Sequence, residues 1–172
     1  MFRIGHGYDM HKLSSNRNLI LCGEKIPHEK GLLGHSDADV ATHALIDALL
    51  GAAALGDIGQ HFPDSDEQYK NISSLKLLEK VVSMLTVKRF CIINVDITIV
   101  AQLPKIDIYK EKMKINLQKI LLIEKELINI KATTEEGCGI VQKIGSMKVT
   151  NVCEAVMEVL EMTGFADILV IE

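Results

Sequence analysis

The chain has 172 residues, a length that fits a single globular domain, residues 1–172, built around one hydrophobic core. Its 19 Lys and Arg residues against 23 Asp and Glu residues give a net charge of −4, which argues against sequence-independent nucleic-acid binding because such binding needs surplus positive charge. Hydrophobic residues make up 48% of the chain and aromatic residues only 4%, so extended disorder is excluded and the core must be mainly aliphatic.

No segment has the features of a membrane span or of an export signal. The longest weakly charged stretch, residues 38–56, is interrupted by Asp39, His43 and Asp47, and three such polar groups are costly in a bilayer. The first residues lack a basic region followed by an apolar run. The four cysteines lie far apart and form no Cys-x-x-Cys pair, which indicates reduced thiols. We therefore expect a cytoplasmic protein.

The first third of the chain predicts a strand, a hairpin and a helix. Side chains alternate over residues 2–10, which indicates a strand, and residues 19–26 are typical of a short hairpin. Ser36 and Asp39 have the spacing of a capping box that opens a helix, and apolar residues follow at helical spacing. We expect this helix to end at Gly56 or Gly59.

Helices and strands alternate in the rest of the chain. The pattern predicts helices over about 73–84 and 108–122, and strands over 90–100 and 128–133. Residues 149–160 fit either a strand or a helix, and periodicity alone does not decide between them. This order of elements indicates an α/β sandwich, a mixed sheet with helices on one face. The other face needs a cover, which favours a closed homo-oligomer.

Asp9, His11 and His43 are candidate metal ligands. Asp9 and His11 lie two residues apart on the first predicted strand, so their side chains point to the same face. His43 lies one helical turn from both Asp39 and Asp47, and either carboxylate could hold one imidazole nitrogen and leave the other for a metal. Two histidines and one carboxylate with a fourth position open are typical of a catalytic zinc site, although an Asp-x-His pair alone also occurs by chance.

Glycines accompany these candidate ligands. Gly5 and Gly7 precede Asp9, and Gly34 stands just before the predicted helix. Glycine allows a close backbone approach, and a helix N-terminus offers amides and a positive dipole to an anion. The combination predicts a metal beside a phosphate site.

Several longer motifs are more specific than these general patterns. They are Gly5-His6-Gly7-Tyr8-Asp9-Met10-His11, then Gly34-His35-Ser36-Asp37-Ala38-Asp39, Asp57-Ile58-Gly59-Gln60-His61-Phe62-Pro63-Asp64, Ala101-Gln102-Leu103-Pro104-Lys105 and Lys131-Ala132-Thr133-Thr134-Glu135-Glu136. In this order they closely resemble the signature of the 2-C-methyl-D-erythritol 2,4-cyclodiphosphate synthase family. The resemblance covers nearly the whole chain.

The resemblance implies a lyase of the non-mevalonate route to isoprenoids and terpenoids. Such an enzyme converts 4-diphosphocytidyl-2-C-methyl-D-erythritol 2-phosphate to 2-C-methyl-D-erythritol 2,4-cyclodiphosphate, with attack of the substrate's own 2-phosphate on the β-phosphorus and release of CMP. The protein then has to fold its substrate and neutralise charge rather than supply a nucleophile. The resemblance further implies a four-stranded sheet with residues 149–160 as a strand, and a homotrimer with active sites between subunits.

The resemblance also implies roles for individual residues. Asp9, His11 and His43 would hold a zinc ion, and Glu136, otherwise a strand-end glutamate, would hold a magnesium or manganese ion at the diphosphate. His35 and Thr134 would stabilise the transition state, or else serve only as a histidine before a helix and a hydroxyl at a strand end. The implied substrate-binding residues are Asp9, His11, His35, Ser36, Asp57, Gly59, Phe62, Asp64, Asp66, Ala101, Pro104, Lys105, Asp107, Thr133, Thr134, Ile140 and Lys143.

The sequence departs from the family pattern near its C-terminus. Glu135 replaces a common threonine, Ile140 and Lys143 replace an aromatic residue and an arginine, and the segment before the last strand is longer. Lysine keeps the positive charge but loses the bidentate geometry of arginine. Two other functions stay open. One is a metal-dependent phosphohydrolase, and the other is a non-enzymatic trimer that binds isoprenoid diphosphates in an axial channel faced by Ile140 and Lys143.

Overall fold

The computed structural model describes residues 2–134, 136 and 146–151. The strands in these residues are β1 (Gly7–Ser15), β2 (Leu19–Leu21), β3 (Glu24–Ile26), β4 (Lys30–Leu32), β5 (Val95–Val100), β6 (Ile128–Thr133) and β7 (Ser146–Asn151). The α-helices are α1 (Val40–Ala52), α2 (Ile58–His61), α3 (Ser74–Val87) and α4 (Lys110–Leu121), and short 3-10 helices cover Glu67–Tyr69, Asp107–Tyr109 and Lys125–Leu127. No helix in the described part of the chain is long and apolar enough to cross a membrane.

Five strands form one mixed sheet in the order β4-β1-β7-β5-β6. β5 and β6 run parallel, and the other neighbours run antiparallel. The prediction of four strands is wrong, because the short strand β4 also pairs with the end of β1. Three residues are too few for alternation to reveal a strand in the sequence. β2 and β3 form a separate antiparallel pair, which confirms the predicted hairpin.

The strands β5 and β6 show which face of the sheet the helices cover. Ile97 and Ile99 are fully buried, whereas Asp96 and Thr98 alternate with them and point to the opposite, partly exposed face. The helices α1, α3 and α4 contribute aliphatic side chains to the same core as these isoleucines. The prediction of a mixed sheet with helices on one face is therefore confirmed.

The predicted element bounds agree with the structure to different degrees. β6 has the predicted bounds of 128–133, and α3 and α4 match their predicted helices within three residues at each end. β1 begins at Gly7 rather than at residue 2, and β5 begins at Val95 rather than at residue 90. β7 identifies residues 149–151 as strand, and residues 152–160 of that prediction lie outside the described residues.

Asp39 begins helix α1, and the predicted capping box at Ser36 is wrong. The Asp39 carboxylate accepts hydrogen bonds from the Thr42 amide at 3.0 Å and the Thr42 hydroxyl at 2.7 Å. It also accepts from the amides of Cys22 at 2.9 Å and Gly23 at 2.7 Å, in the β2–β3 turn. One fully buried carboxylate thus caps the helix and satisfies the hairpin turn, a tertiary contact that the local spacing does not show.

Substitution of this cap should destabilise the whole domain. Asp39→Ala leaves two buried amides, one partly buried amide and one hydroxyl without their acceptor, so we expect the free energy of unfolding to fall by about 2–4 kcal/mol. Asp57→Ala is the matched control, because Asp57 also caps a helix but is exposed and accepts its hydrogen bonds from Gln60. Its effect should stay below about 1 kcal/mol. Urea unfolding followed by circular dichroism measures both, and equal losses would contradict the role given to Asp39.

Candidate metal centre and active site

Three potential metal ligands converge where β1 crosses α1. The Asp9 Oδ2 atom lies 3.0 Å from His11 Nε2 and 3.1 Å from His43 Nδ1. Each residue offers one ligand atom, and these atoms all lie within 4.8 Å of one another. The three residues predicted from the sequence as zinc ligands are therefore brought together by the fold.

A close backbone contact between β1 and α1 makes this convergence possible. A Cβ atom added at Gly7 would lie 1.8 Å from the carbonyl oxygen of Ala44, and one at Gly5 would lie 1.8 Å from that of Ala48. No side chain fits in this space, so only glycine lets the strand rest on the helix backbone. His43 directly precedes Ala44, and its imidazole consequently reaches the carboxylate of Asp9.

His11 is held with one nitrogen directed toward the cluster. Its Nδ1 lies 2.7 Å from the Leu33 carbonyl oxygen, and a carbonyl accepts only, so Nδ1–H is the donor. In the neutral ring Nε2 then carries the lone pair, and this atom faces Asp9. A backbone carbonyl behind a histidine is the usual way in which proteins orient a metal ligand.

The electrostatics of the cluster favour a cation at its centre. Burial by itself would raise the pKa of Asp9, but hydrogen bonds and charges of His11 and His43 outweigh burial and hold that pKa well below its usual range. The hydrogen bond to Asp9 raises the pKa of His11, while burial opposes the rise. Asp9 is thus an ionised carboxylate that both neighbouring imidazoles stabilise by hydrogen bonding and electrostatic attraction. One carboxylate and two imidazoles with an open side form a donor set that suits zinc.

The second nitrogen of His43 has a partner that the sequence did not predict. The expected partners, Asp39 and Asp47, are used elsewhere, because Asp39 caps α1 and Asp47 accepts a 2.7 Å hydrogen bond from the Ile58 amide. His43 Nε2 instead lies 2.8 Å from the Ser74 hydroxyl. Ser74 is 31 residues away on α3, and no spacing in the sequence could have indicated this contact.

The segment before α1 lies beside the cluster and is tightly held. The Ser36 hydroxyl lies 3.1 Å from His43 Nε2, and the His35 ring donates to the Asp66 carbonyl at 3.3 Å. The Arg17 guanidinium, which sequence analysis also missed, donates to the carbonyls of Gly34 at 3.2 Å and Ser36 at 2.7 Å. His35 and Ser36 are therefore fixed on the same side of the molecule as the three ligands.

Other predicted substrate residues also lie on this side. Asp64 is exposed, and its charge contributes to raising the pKa of His11. Asp57 caps the short helix α2, Gly59 lies within that helix, and the Ile58 amide in the same helix is bonded to Asp47 of α1. Phe62 is buried, with its ring edge against Tyr69. Residues 62–66 directly follow α2, a short helix that the sequence did not predict.

A second group of predicted residues lies at the carboxyl ends of β5 and β6. The Ala101 amide donates to the Thr133 carbonyl at 3.0 Å, and the Thr134 hydroxyl donates to the Glu136 carboxylate. Lys105 is exposed, and Asp107 pairs with Lys110. The group comprises Ala101, Pro104, Lys105, Asp107, Thr133, Thr134 and Glu136. The remaining predicted residues, Ile140 and Lys143, and the departure at Glu135 lie outside the described residues.

The sheet separates this second group from the metal cluster. Thr133 pairs with Val100, Val100 with Lys148, and Lys148 with Met10, which lies between the two ligands on β1. Three steps between neighbouring strands amount to about 14 Å. Within one copy of the chain, three strand spacings therefore separate Thr133 at the end of β6 from the two candidate ligands on β1.

The fold and the cluster define an α/β protein with a candidate metal centre formed by one carboxylate and two histidines. The chain belongs to the YgbB family, whose model matches residues 2–156. A 2-C-methyl-D-erythritol 2,4-cyclodiphosphate synthase from Clostridium botulinum is 56% identical over 151 residues, which cover 88% of this chain and 97% of the relative. The family resemblance inferred from the motifs is thus confirmed.

Solved structures agree with this assignment. IspF from Plasmodium falciparum, in complex with CDP, is 32% identical with a TM-score of 0.75, and the match covers 87% of this chain and 92% of that one. The bifunctional IspDF from Campylobacter jejuni is 40% identical with a TM-score of 0.80. That match covers 87% of this chain but only 40% of the longer Campylobacter protein.

Substitution of Gly34 tests whether the orientation of the His11 ring matters for metal binding. A Cβ atom at this position would lie 2.9 Å from His11 Cε1 and 3.1 Å from His11 Nδ1. Gly34→Ala should therefore displace the His11 ring from the Leu33 carbonyl and weaken zinc binding by about tenfold. Gly51→Ala is the control, because nothing lies within 4 Å of its added methyl group. Zinc titration against a chromophoric chelator measures both variants, and equal affinities would contradict the prediction.

Proposed function

We propose that the chain is a 2-C-methyl-D-erythritol 2,4-cyclodiphosphate synthase. It converts 4-diphosphocytidyl-2-C-methyl-D-erythritol 2-phosphate to the 2,4-cyclodiphosphate and CMP, as a lyase of the non-mevalonate isoprenoid pathway. The observation that carries this proposal is the convergence of Asp9, His11 and His43 in a chain that is 56% identical to a relative of that name. The whole of residues 1–172 is proposed to act as one catalytic domain.

The reaction is an intramolecular phosphoryl transfer. An oxygen of the substrate's 2-phosphate forms a bond to the β-phosphorus, and the bond from that phosphorus to the bridging oxygen breaks. CMP leaves with the bridging oxygen and its electron pair. Because the nucleophile belongs to the substrate, the protein contributes positioning and stabilisation of charge rather than a nucleophilic side chain.

The metal cluster supplies the charge stabilisation on one side of the substrate. A zinc ion held by Asp9, His11 and His43 supplies Lewis acidity to an oxygen of the β-phosphate. Asp9 is suited to this role because its low pKa keeps it an anion, and the Leu33 carbonyl keeps the His11 ring directed at the same point. Glu136 is the proposed ligand for a magnesium or manganese ion at the diphosphate.

The remaining residues position the substrate. His35, oriented by the Asp66 carbonyl, and Thr134 are proposed to stabilise charge in the transition state. Ser36, Asp57, Gly59, Phe62, Asp64 and Asp66 are proposed to hold the erythritol and ribose portions, together with Asp9, His11 and His35. Ala101, Pro104, Lys105, Asp107 and Thr133 are proposed to form the cytidine and diphosphate site, with Ile140 and Lys143 completing the set. The CDP complex of the Plasmodium relative supports a cytidine diphosphate ligand.

The separation within one subunit supports active sites between subunits. The metal cluster and the Thr133 region are three strands apart, about 14 Å, so a single substrate diphosphate cannot contact both groups in one copy without spanning the sheet. The sheet face opposite the helices is partly exposed at Asp96 and Thr98 and is available to another copy. We propose a homotrimer in which one subunit supplies the metal ligands and its neighbour supplies the cytidine site.

Turnover of the proposed substrate tests this function. The purified protein is incubated with 4-diphosphocytidyl-2-C-methyl-D-erythritol 2-phosphate and magnesium, and the products are followed by phosphorus NMR. We expect one CMP for each cyclic diphosphate formed. Asp9→Ala should lower the rate by at least about a hundredfold, because it removes a charged ligand from the metal cluster. A chelator should abolish turnover, and added zinc should restore it.

Glu79→Ala is the matched control, since Glu79 is exposed on α3 away from the proposed site, and it should keep the full rate. Linear phosphate products without a ring would replace this proposal with the metal-dependent phosphohydrolase. No turnover by a protein that still binds zinc would favour the binding function.

Mixed subunits test the location of the active site. Asp9→Ala and Glu136→Ala are each expected to inactivate the homotrimer, but they lie on opposite sides of the proposed interface. When the two variants are denatured together and refolded at equal amounts, roughly a quarter of the interfaces should combine an intact Asp9 with an intact Glu136. We therefore expect about a quarter of the unaltered protein's activity to return. Continued inactivity of the mixture, with correct assembly shown by light scattering, would place the whole site within one subunit.

A further inference from the structure

The nitrogen of His43 that faces away from the metal cluster lies in a buried polar environment. His43 Nε2 is 2.8 Å from the Ser74 hydroxyl oxygen and 3.1 Å from the Ser36 hydroxyl oxygen. Ser74 is fully buried, and Ser36 and His43 are less than a tenth exposed. Water does not easily replace these partners. The hydrogen bonds of the two hydroxyl groups therefore determine whether this nitrogen carries a hydrogen.

Asp37 fixes the direction of the hydrogen bond between Ser74 and His43. The Ser74 hydroxyl donates to one carboxylate oxygen of Asp37, and the Ser74 amide donates to the other at 3.0 Å. A hydroxyl has one hydrogen, and an ionised carboxylate only accepts. With its hydrogen directed to Asp37, the Ser74 oxygen presents a lone pair to His43, and Nε2 must be the donor.

Ser36 does not oppose this arrangement. Its hydroxyl oxygen accepts from the Ala38 amide at 3.1 Å, and its own hydrogen rotates to suit its neighbours. A bare Nε2 would face the Ser74 lone pair at 2.8 Å without a proton between them, which is unfavourable. Ser74, Asp37 and Ser36 therefore stabilise the tautomer with hydrogen on Nε2, and a cation at the cluster would take the place of the hydrogen between Nδ1 and the Asp9 carboxylate.

The consequence for the metal cluster follows from the chemistry of imidazole. A neutral ring with hydrogen on Nε2 carries its lone pair on Nδ1, and His43 Nδ1 is the atom that lies 3.1 Å from Asp9. We propose that Ser74 and Asp37 are positioning residues, which hold the His43 ring in the rotation and tautomer that present Nδ1 as a metal ligand. This inference rests on the proposed metal site and adds two residues behind it, on α3 and in the segment before α1.

Ser74→Ala is a sharper test than substitution of Asp37. The Asp37 carboxylate also accepts from the amide of Ser74, the first residue of α3, so its loss would affect folding as well. Alanine at position 74 removes only the hydroxyl and suits a helix. Ser83→Ala is the matched control, because Ser83 lies on the same helix and its exposed hydroxyl donates to the Glu79 carbonyl one turn earlier. Ser74→Thr keeps the hydroxyl and serves as the conservative variant.

The measurement is metal affinity rather than turnover. Zinc affinity is determined at fixed pH by competition with a chromophoric chelator, and the absorption bands of the cobalt-loaded protein report the ligand geometry. We expect Ser74→Ala to weaken zinc binding by about 10–100-fold and to alter the cobalt bands. Ser83→Ala should match the unaltered protein, and Ser74→Thr should recover most of the affinity. Nitrogen-15 NMR of the zinc-loaded, unaltered protein should show hydrogen on His43 Nε2.

Three outcomes distinguish failure of the positioning role from failure of the proposed metal site. Unchanged zinc affinity and cobalt bands in Ser74→Ala, beside normal binding by the unaltered protein, would overturn the positioning role and leave the metal site intact. A lower thermal stability of the metal-free variant with unchanged affinity would show a purely structural role and also overturn it. Failure of the unaltered protein to bind zinc or cobalt would overturn the metal site itself, and the inference with it.

Discussion

The close contact between β1 and α1 is the constraint on which the candidate site depends. The carbonyl oxygens of Ala44 and Ala48 occupy the space in which side chains at Gly7 and Gly5 would lie. Asp9 and His43 are 34 residues apart in the chain, yet the contact brings their side chains to 3.1 Å. A larger residue in place of either glycine would push the helix outward and separate the ligands. Glycine at positions 5 and 7 is therefore needed both for the packing of the strand on the helix and for the convergence of the candidate metal ligands.

The four residues before α1 show how neighbouring polar groups serve separate purposes. Asp39 is fully buried and structural, since it joins the helix N-terminus to the β2–β3 turn. Asp37 points to the start of α3 and, through Ser74, to His43. Ser36 lies against the same imidazole. A short run of polar residues thus links two helices and the hairpin to the metal cluster, because each carboxylate accepts several hydrogen bonds.

The mixed sheet positions two groups of candidate site residues and keeps these groups apart. β1 carries the candidate ligands Asp9 and His11, while the Thr133 region lies three strands away at the ends of β5 and β6. A rigid sheet keeps these groups about 14 Å apart in one copy. If one diphosphate is held by both groups, a second copy of the chain must supply one of the two groups. The proposed reaction then depends on the assembly of subunits. Closed symmetry would give every subunit the same pair of half-sites.

The sequence by itself determined which residues are the candidate metal ligands, and it determined most of the helices and strands. Asp9 and His11 could be predicted because a period of two places both side chains on one face, and β6 could be bounded because Ile128, Ile130 and Ala132 alternate with polar residues. The family motifs indicated the zinc ion and the reaction. Only the tertiary structure decided that Asp39 caps α1, that β4 joins the sheet and that Ser74 holds His43. These three features depend on contacts between segments that are distant in the chain. The spacing of neighbouring residues does not indicate which buried donor pairs with which acceptor.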